Sequence, residues 1–167
     1  MKSKKFLTVI IHILFIALIF QGCSKKEITH SLTCKELSNE LESEISVPEG
    51  GFKEYTTEEL RFLFSSPELF DDICIVYSND STDVCEIGVL YASNEESAKL
   101  LFEDAKSYIK SLQEQKSEFL RNYSPAELSK LNSAEVRRYG NYIIFTVAEA
   151  NEKNNMFKKA EALLSKK

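Results

Sequence analysis

The stretch AEVRRYGNYIIFTVA, Ala134–Ala148, decides the architecture. Gly140-Asn141 is a two-residue hairpin signal, with strand-like sequence on either side of it. Before the turn, Arg137-Arg138 sit within a strand, where one side chain points to solvent and the other meets an acid. After it, Tyr142–Ala148 is almost wholly apolar. Such a run suits a strand buried on both faces or lying centrally in its sheet.

Working upstream, a second hairpin precedes this one. DICIVY (72–77) and VCEIGVLY (84–91) are short, apolar and rich in β-branched residues, and turn chemistry separates them. Between the hairpins the periodicity switches to helical. Ala98, Leu101, Phe102, Ala105, Ile109, Leu112 and Phe119 recur on one face of a long helix over about 94–122, opened by a Ser93/Glu96 capping box. Ser124, Pro125 and Glu127 then start a short helix over about 125–132. Thr56 and Glu59 cap another short helix, which Ser65-Ser66-Pro67 ends. Leu32, Leu37, Leu41 and Ile45 mark a first amphipathic helix, and VPEGGFKEY (47–55) reads as a loop. A final helix, roughly 152–165, docks through Phe157, Ala160 and Leu164. Two hairpins bracketing a long helix imply an α+β two-layer sandwich. Its antiparallel sheet has about four strands, with the helices packed on one face.

The first residues belong to a different physical regime. Lys2, Lys4 and Lys5 precede the apolar run Phe6–Phe20, too short to cross a bilayer comfortably but the right length for a signal-peptide core. Gly22-Cys23 follows and resembles the lipobox of bacterial lipoproteins, in which signal peptidase II cuts before a diacylated cysteine. Phe20 and Gln21 depart from the leucine and small residue usual at those positions. An uncleaved N-terminal anchor with an incidental cysteine is the competing reading. The expected organisation is therefore 1–22 signal peptide, 23–31 lipidated Cys23 and tether, and 32–167 a single α+β domain. Acyl chains on Cys23 hold such a protein at the cell membrane with its domain on the extracytoplasmic side.

Composition removes several function classes. Residues 1–22 contain three lysines and no acid, so their removal takes the net charge from −5 to −8. An acidic domain of this kind does not suit nucleic acid, whose phosphates need clustered Lys and Arg. The two histidines, His12 and His30, both lie outside the domain, which leaves no imidazole for a triad, a zinc site or a near-neutral base. Neither a catalytic residue, a metal ligand set nor a cofactor motif is assigned. Asp71, Asp72, Asp80, Asp83 and Glu86 cluster around the first hairpin. They read as a solvated acidic face more readily than as a calcium loop, since EF-hand spacing is missing. Cys74 and Cys85 lie symmetrically about Asn79-Asp80, and in that register they face each other and can form a disulfide; the alternative is two small buried hydrophobes. Cys34 would remain unpaired. Tyr91, Tyr108, Tyr123, Tyr139 and Tyr142 either edge the core or line a ligand groove.

The succession DVCEIGVLYA (83–92), a long charged helix, NYSPAEL (122–128) and RYGNYIIFTVAEA (138–150) is similar to a family of small Gram-positive bacterial lipoproteins grouped as a domain of unknown function. The resemblance covers residues 56–165 and rests on Glu86-Ile87, Tyr123-Ser124-Pro125 and Gly140-Asn141-Tyr142. Leu90-Tyr91 departs from the more polar strand end usual in that family. The resemblance implies an anchored envelope protein and transfers no catalytic residue. These observations lead to a membrane-anchored, non-enzymatic module that binds an envelope protein or a small ligand. The alternative is an enzyme, or an enzyme accessory, that uses carboxylate and Tyr side chains in a cleft.

Overall fold

The computed structural model describes residues 32–165. Helix α1 (Cys34–Glu42) opens the domain and is followed by β1 (Phe52–Glu54), α2 (Thr57–Leu63), a single 3₁₀ turn (Pro67–Leu69) and the hairpin β2 (Asp72–Ser78) and β3 (Glu86–Tyr91). The long helix α3 (Glu95–Tyr123), α4 (Pro125–Asn132), the hairpin β4 (Glu135–Tyr139) and β5 (Tyr142–Val147), and α5 (Ala150–Leu164) complete it. All strand pairings among the described residues are antiparallel, in the order β1-β2-β3-β5-β4. The expected α+β class with an antiparallel sheet holds.

Two features of the expected sandwich need correction. The sheet has five strands rather than four, because Phe52–Glu54 adds an edge strand to β2. Three residues are too few to show a periodicity, so this strand read as part of a loop. The helices also cover both faces of the sheet. Ile75, Leu90, Ile143, Phe145 and Val147 pack with Leu60 and Phe64 at α2, with Ala98, Leu101 and Ala105 of α3, and with Leu131 of α4. Cys74, Val76, Ile87, Val89 and Ile144 pack instead with Leu37 and Leu41 of α1 and Met156, Phe157 and Ala160 of α5. The cause is the sequence of the central strands: with successive residues pointing to opposite faces, a continuous apolar run needs cover on both.

Local chemistry sets the helix starts. Thr56 and Glu59 make the expected reciprocal cap. Helix α3 starts one residue later than expected, with Asn94 accepting from the Ser97 amide at 2.8 Å. Ser124 gives α4 no side-chain cap, and Glu127, expected to complete the box, instead binds Lys130 at 2.8 Å and the Val84 amide at 3.1 Å. The start of α1 is fastened to one end of the sheet: the Cys34 amide donates to Asp72 Oδ2 at 2.7 Å, and the Tyr142 hydroxyl donates to the Leu32 carbonyl.

Candidate functional site

Strand alternation places Glu86, the first residue of β3, on the sheet face covered by α3. Glu86 pairs across the sheet with Tyr77 of β2 and Val147 of β5, and only 2% of its surface is exposed. A carboxyl group in such a position requires partners. Tyr108, reaching in from α3, donates its hydroxyl to Glu86 Oε1 at 2.6 Å. The Tyr55 hydroxyl interacts in turn with that of Tyr108. Tyr55 follows β1 and stacks on Tyr77, with ring centroids 4.2 Å apart.

The position of Tyr108 depends on a glycine two residues along β3. A Cβ on Gly88 would lie 2.1 Å from Phe145 Cε1, so only glycine lets the Phe145 ring lie flat over the strand. Phe145 in turn contacts Tyr108 at 5.4 Å between centroids, and Phe64 contacts it from the other side at 5.2 Å. These two rings aim the Tyr108 hydroxyl at Glu86.

Glu86 Oε2 accepts no hydrogen bond among the described residues, and it is not sealed away: Glu86 lines a cavity of about 270 Å³. The cavity opens at the turn end of the β2–β3 hairpin. Lys53, Tyr55 and Tyr77 form one wall, the turn from Asn79 to Asp83 forms the rim, and Lys116 of α3 stands opposite. Burial pushes the Glu86 carboxyl up to about 7, although the Tyr108 hydrogen bond and the Lys116 charge pull the other way. Burial likewise raises Tyr55 to about 12, and raises Tyr108, which also feels the adjacent Glu86 charge. A half-titrated carboxyl oxygen facing an aromatic and polar cavity can accept a hydrogen bond from a ligand, or donate one when protonated.

The five acids read together from the sequence do five separate things. Asp71 accepts from the Ser93 amide and Asp72 from the Cys34 amide. Asp80 accepts from the amide and hydroxyl of Thr82, while Asp83 accepts from the Cys85 amide and pairs with Lys130. Glu86 alone is buried. No group of three His, Cys, Asp or Glu side chains suited to a metal ion occurs among the described residues.

Cys74 and Cys85 do not face each other. The β2–β3 register pairs Cys74 with Val89, and the Ser78 amide bonds to the Cys85 carbonyl, so the hairpin is centred on Ser81-Thr82 rather than Asn79-Asp80. The two cysteines are thus four residues out of register, about 13 Å along the strands, whereas a disulfide needs Cα atoms within about 7 Å. Both thiols, and that of Cys34, are free and buried. The proposed lipid-attachment residue, Cys23, lies outside the described residues. None of the five tyrosines expected at a groove lines the cavity; Tyr108 comes nearest, through its hydrogen bond to Glu86. Tyr91 and Tyr142 contact each other with tilted rings, Tyr139 donates to the Phe157 carbonyl, and Tyr123 is 75% exposed beside Phe119. Tyr55 and Tyr77 were missed; nothing local distinguishes either from an ordinary strand-edge tyrosine. For Glu86 a signal existed, a lone charge inside an otherwise apolar strand.

The molecule is thus an antiparallel α+β domain with a carboxyl group at the base of a cavity at one end of its sheet. The chain belongs to the family described as a domain of unknown function (DUF4358), which matches residues 47–148. That span holds β1 to β5 and α2 to α4, and with them every residue lining the cavity, while α1 and α5 lie outside it. No curated protein and no solved structure matches the chain. No helix among the described residues is long and apolar enough to cross a membrane.

Proposed function

We propose that this chain is an exported bacterial lipoprotein, held through Cys23 on the extracytoplasmic side of the cell membrane, and that its domain is a non-enzymatic module for a small ligand. The basic start, the 15-residue apolar run and Gly22-Cys23 support the anchor. The observation that carries the binding reading is the cavity of about 270 Å³ with the open Glu86 oxygen at its base. Small-ligand sites are concave and combine apolar walls with a few convergent polar groups. A small ligand is favoured over a protein partner, because the polar groups converge inside a hollow.

The test is to incubate the full chain in detergent micelles with a mixed small-metabolite library and to identify what is retained. Retention that is lost in Ser81→Trp, which fills the cavity rim, supports the reading, provided the compound is recovered unchanged. Consumption of the retained compound would instead establish the enzymatic alternative, in which Glu86 acts as a near-neutral acid or base. Metabolic labelling with a fatty acid, absent in Cys23→Ser, tests the anchor separately.

A further inference from the structure

Resting on the small-ligand reading, the geometry points to a single neutral sugar ring as the ligand of the cavity, with one hydroxyl on Glu86 Oε2 and one ring face against the Tyr55–Tyr77 wall. Four observations lead there. The first is the unfilled acceptor: Glu86 is 2% exposed, its Oε1 is held by Tyr108, and its Oε2 opens into the cavity without a protein donor among the described residues. A ligand that leaves this oxygen bare would bury it unpaired, which costs binding free energy. The occupant must therefore carry a hydrogen-bond donor at that point.

The second observation is the distribution of charge. Lys53 and Lys116 face the cavity together with Asp80, Asp83 and Glu86. Lys116 does not form an ion pair with Glu86, although its charge is felt there. A cationic ligand set on Glu86 would stand beside the Lys116 ammonium, and an anionic one would meet the acids of the turn. Neither sign of net charge is accommodated, whereas a hydroxyl is: it donates to Glu86 and accepts from Lys116 at once.

The third observation is the wall. Tyr55 and Tyr77 are stacked at 4.2 Å, and both line the cavity. Aromatic faces carry the negative lobe of a quadrupole and attract weakly positive C–H groups. A pyranose offers a row of such hydrogens on one face and hydroxyls around its rim, which matches an aromatic wall beside a carboxyl, an amide at Asn79 and two serine hydroxyls at Ser78 and Ser81. The fourth is size. At about 270 Å³ the cavity falls just below the range of drug-sized sites, which suits one ring and not a chain of them.

Saturation-transfer NMR on the full chain in detergent micelles tests this with four probes (glucose, galactose, mannose and N-acetylglucosamine), and with alanine and lysine as zwitterionic and cationic controls. At least one sugar is expected to bind saturably, with the strongest transfer to ring C–H protons, and to weaken about tenfold in Glu86→Ala. Lys116→Ala, on the surface of α3, should weaken it severalfold and guards against loss of folding in the first variant; amide dispersion checks both. Binding of an alanine or lysine control but of no sugar, blocked by Ser81→Trp, overturns the sugar assignment and leaves the small-ligand reading standing. Sugar binding that survives both Glu86→Ala and Ser81→Trp places the sugar elsewhere and overturns the assignment too. Failure of every probe to bind overturns it, and retention of some other compound in the library experiment then decides whether the cavity binds anything.

Discussion

The two faces of the sheet are built from the same strands and yet solve burial differently. Beneath α1 and α5 the buried polar groups are hydroxyls with partners: Thr146 Oγ1 donates to the Glu86 carbonyl at 3.0 Å, and Ser38 donates to Glu42 at 3.4 Å. The rest of that face is hydrocarbon, thiol and aromatic ring. Beneath α2, α3 and α4 the core contains a carboxyl group with one oxygen satisfied and one left open. The first face closes by volume alone, whereas the second accepts a costly group that packing by itself would not require. A buried carboxyl raises its own pKa unless something supplies a donor, so it marks the face on which function is to be sought.

Substitutions on each face put this difference to the test. Phe157→Ala, on the closed face, removes a fully buried ring over which the Arg137 guanidinium lies at 4.2 Å. It should lower unfolding free energy by about 4 kcal/mol in urea titrations and leave the Glu86 titration unchanged. Movement of that titration would show that the faces are coupled. Gly88→Ala forces a methyl to 2.1 Å from Phe145 Cε1. A loss of about 3 kcal/mol is expected, together with displacement of Tyr108 visible in its ring NMR signals.

The pH dependence follows from Glu86. Its carboxyl is raised from 4.5 to about 7 on folding, so between those values the folded state binds more protons than the unfolded one. Stability from this group is complete below about pH 4.5 and declines as pH rises toward about 7, by roughly 3 kcal/mol in all. Thermal melts across pH 4 to 8 should show this decline in the native chain and lose it in Glu86→Gln. An unchanged slope in Glu86→Gln would assign the effect to another group. Tyr108→Phe deletes the hydroxyl that favours the ionised form. It should move the Glu86 carboxyl further upward in a ¹³C NMR titration and cost about 2 kcal/mol above neutrality. The smallest expected effect is on the thiols. Burial pushes Cys74 up to about 11 and Cys85 up to about 12, so neither should react with a thiol reagent in the folded protein at pH 8. A Cys74–Cys85 crosslink in peptide mapping would mean that the hairpin register had slipped by four residues.

Much of the fold was legible because local patterns govern it. Gly140-Asn141 marked its hairpin, Thr56 and Glu59 marked a helix start, and the apolar run Tyr142–Ala148 already implied a strand covered on both sides. That implication conflicted with a sandwich having helices on one face, and the strand was the better guide: a helix's apolar stripe shows that it packs but not on which side of a sheet. The cavity was less legible. Glu86 fell among acids that are its neighbours in sequence, but its burial comes from Tyr55, thirty-one residues earlier, and Tyr108, twenty-two later. Helix α3 brings Tyr108 across the sheet, and a three-residue edge strand presents Tyr55. Neither distance can be read from a window of sequence.

The fastening of α1 has a mechanical consequence. Leu32 and Cys34 are tied to Tyr142 and Asp72 at one end of the sheet, and the cavity opens at the other, beyond Ser78. Seven-residue β2 spans the interval, about 20 Å of extended chain. A pull delivered through Leu32 therefore reaches the domain at its foot and runs lengthwise along hydrogen-bonded strands before it meets the cavity. The site rides at the far tip of a stiff lever, where tension on the chain preceding Leu32 disturbs it least and where an object approaching from the opposite side meets it first.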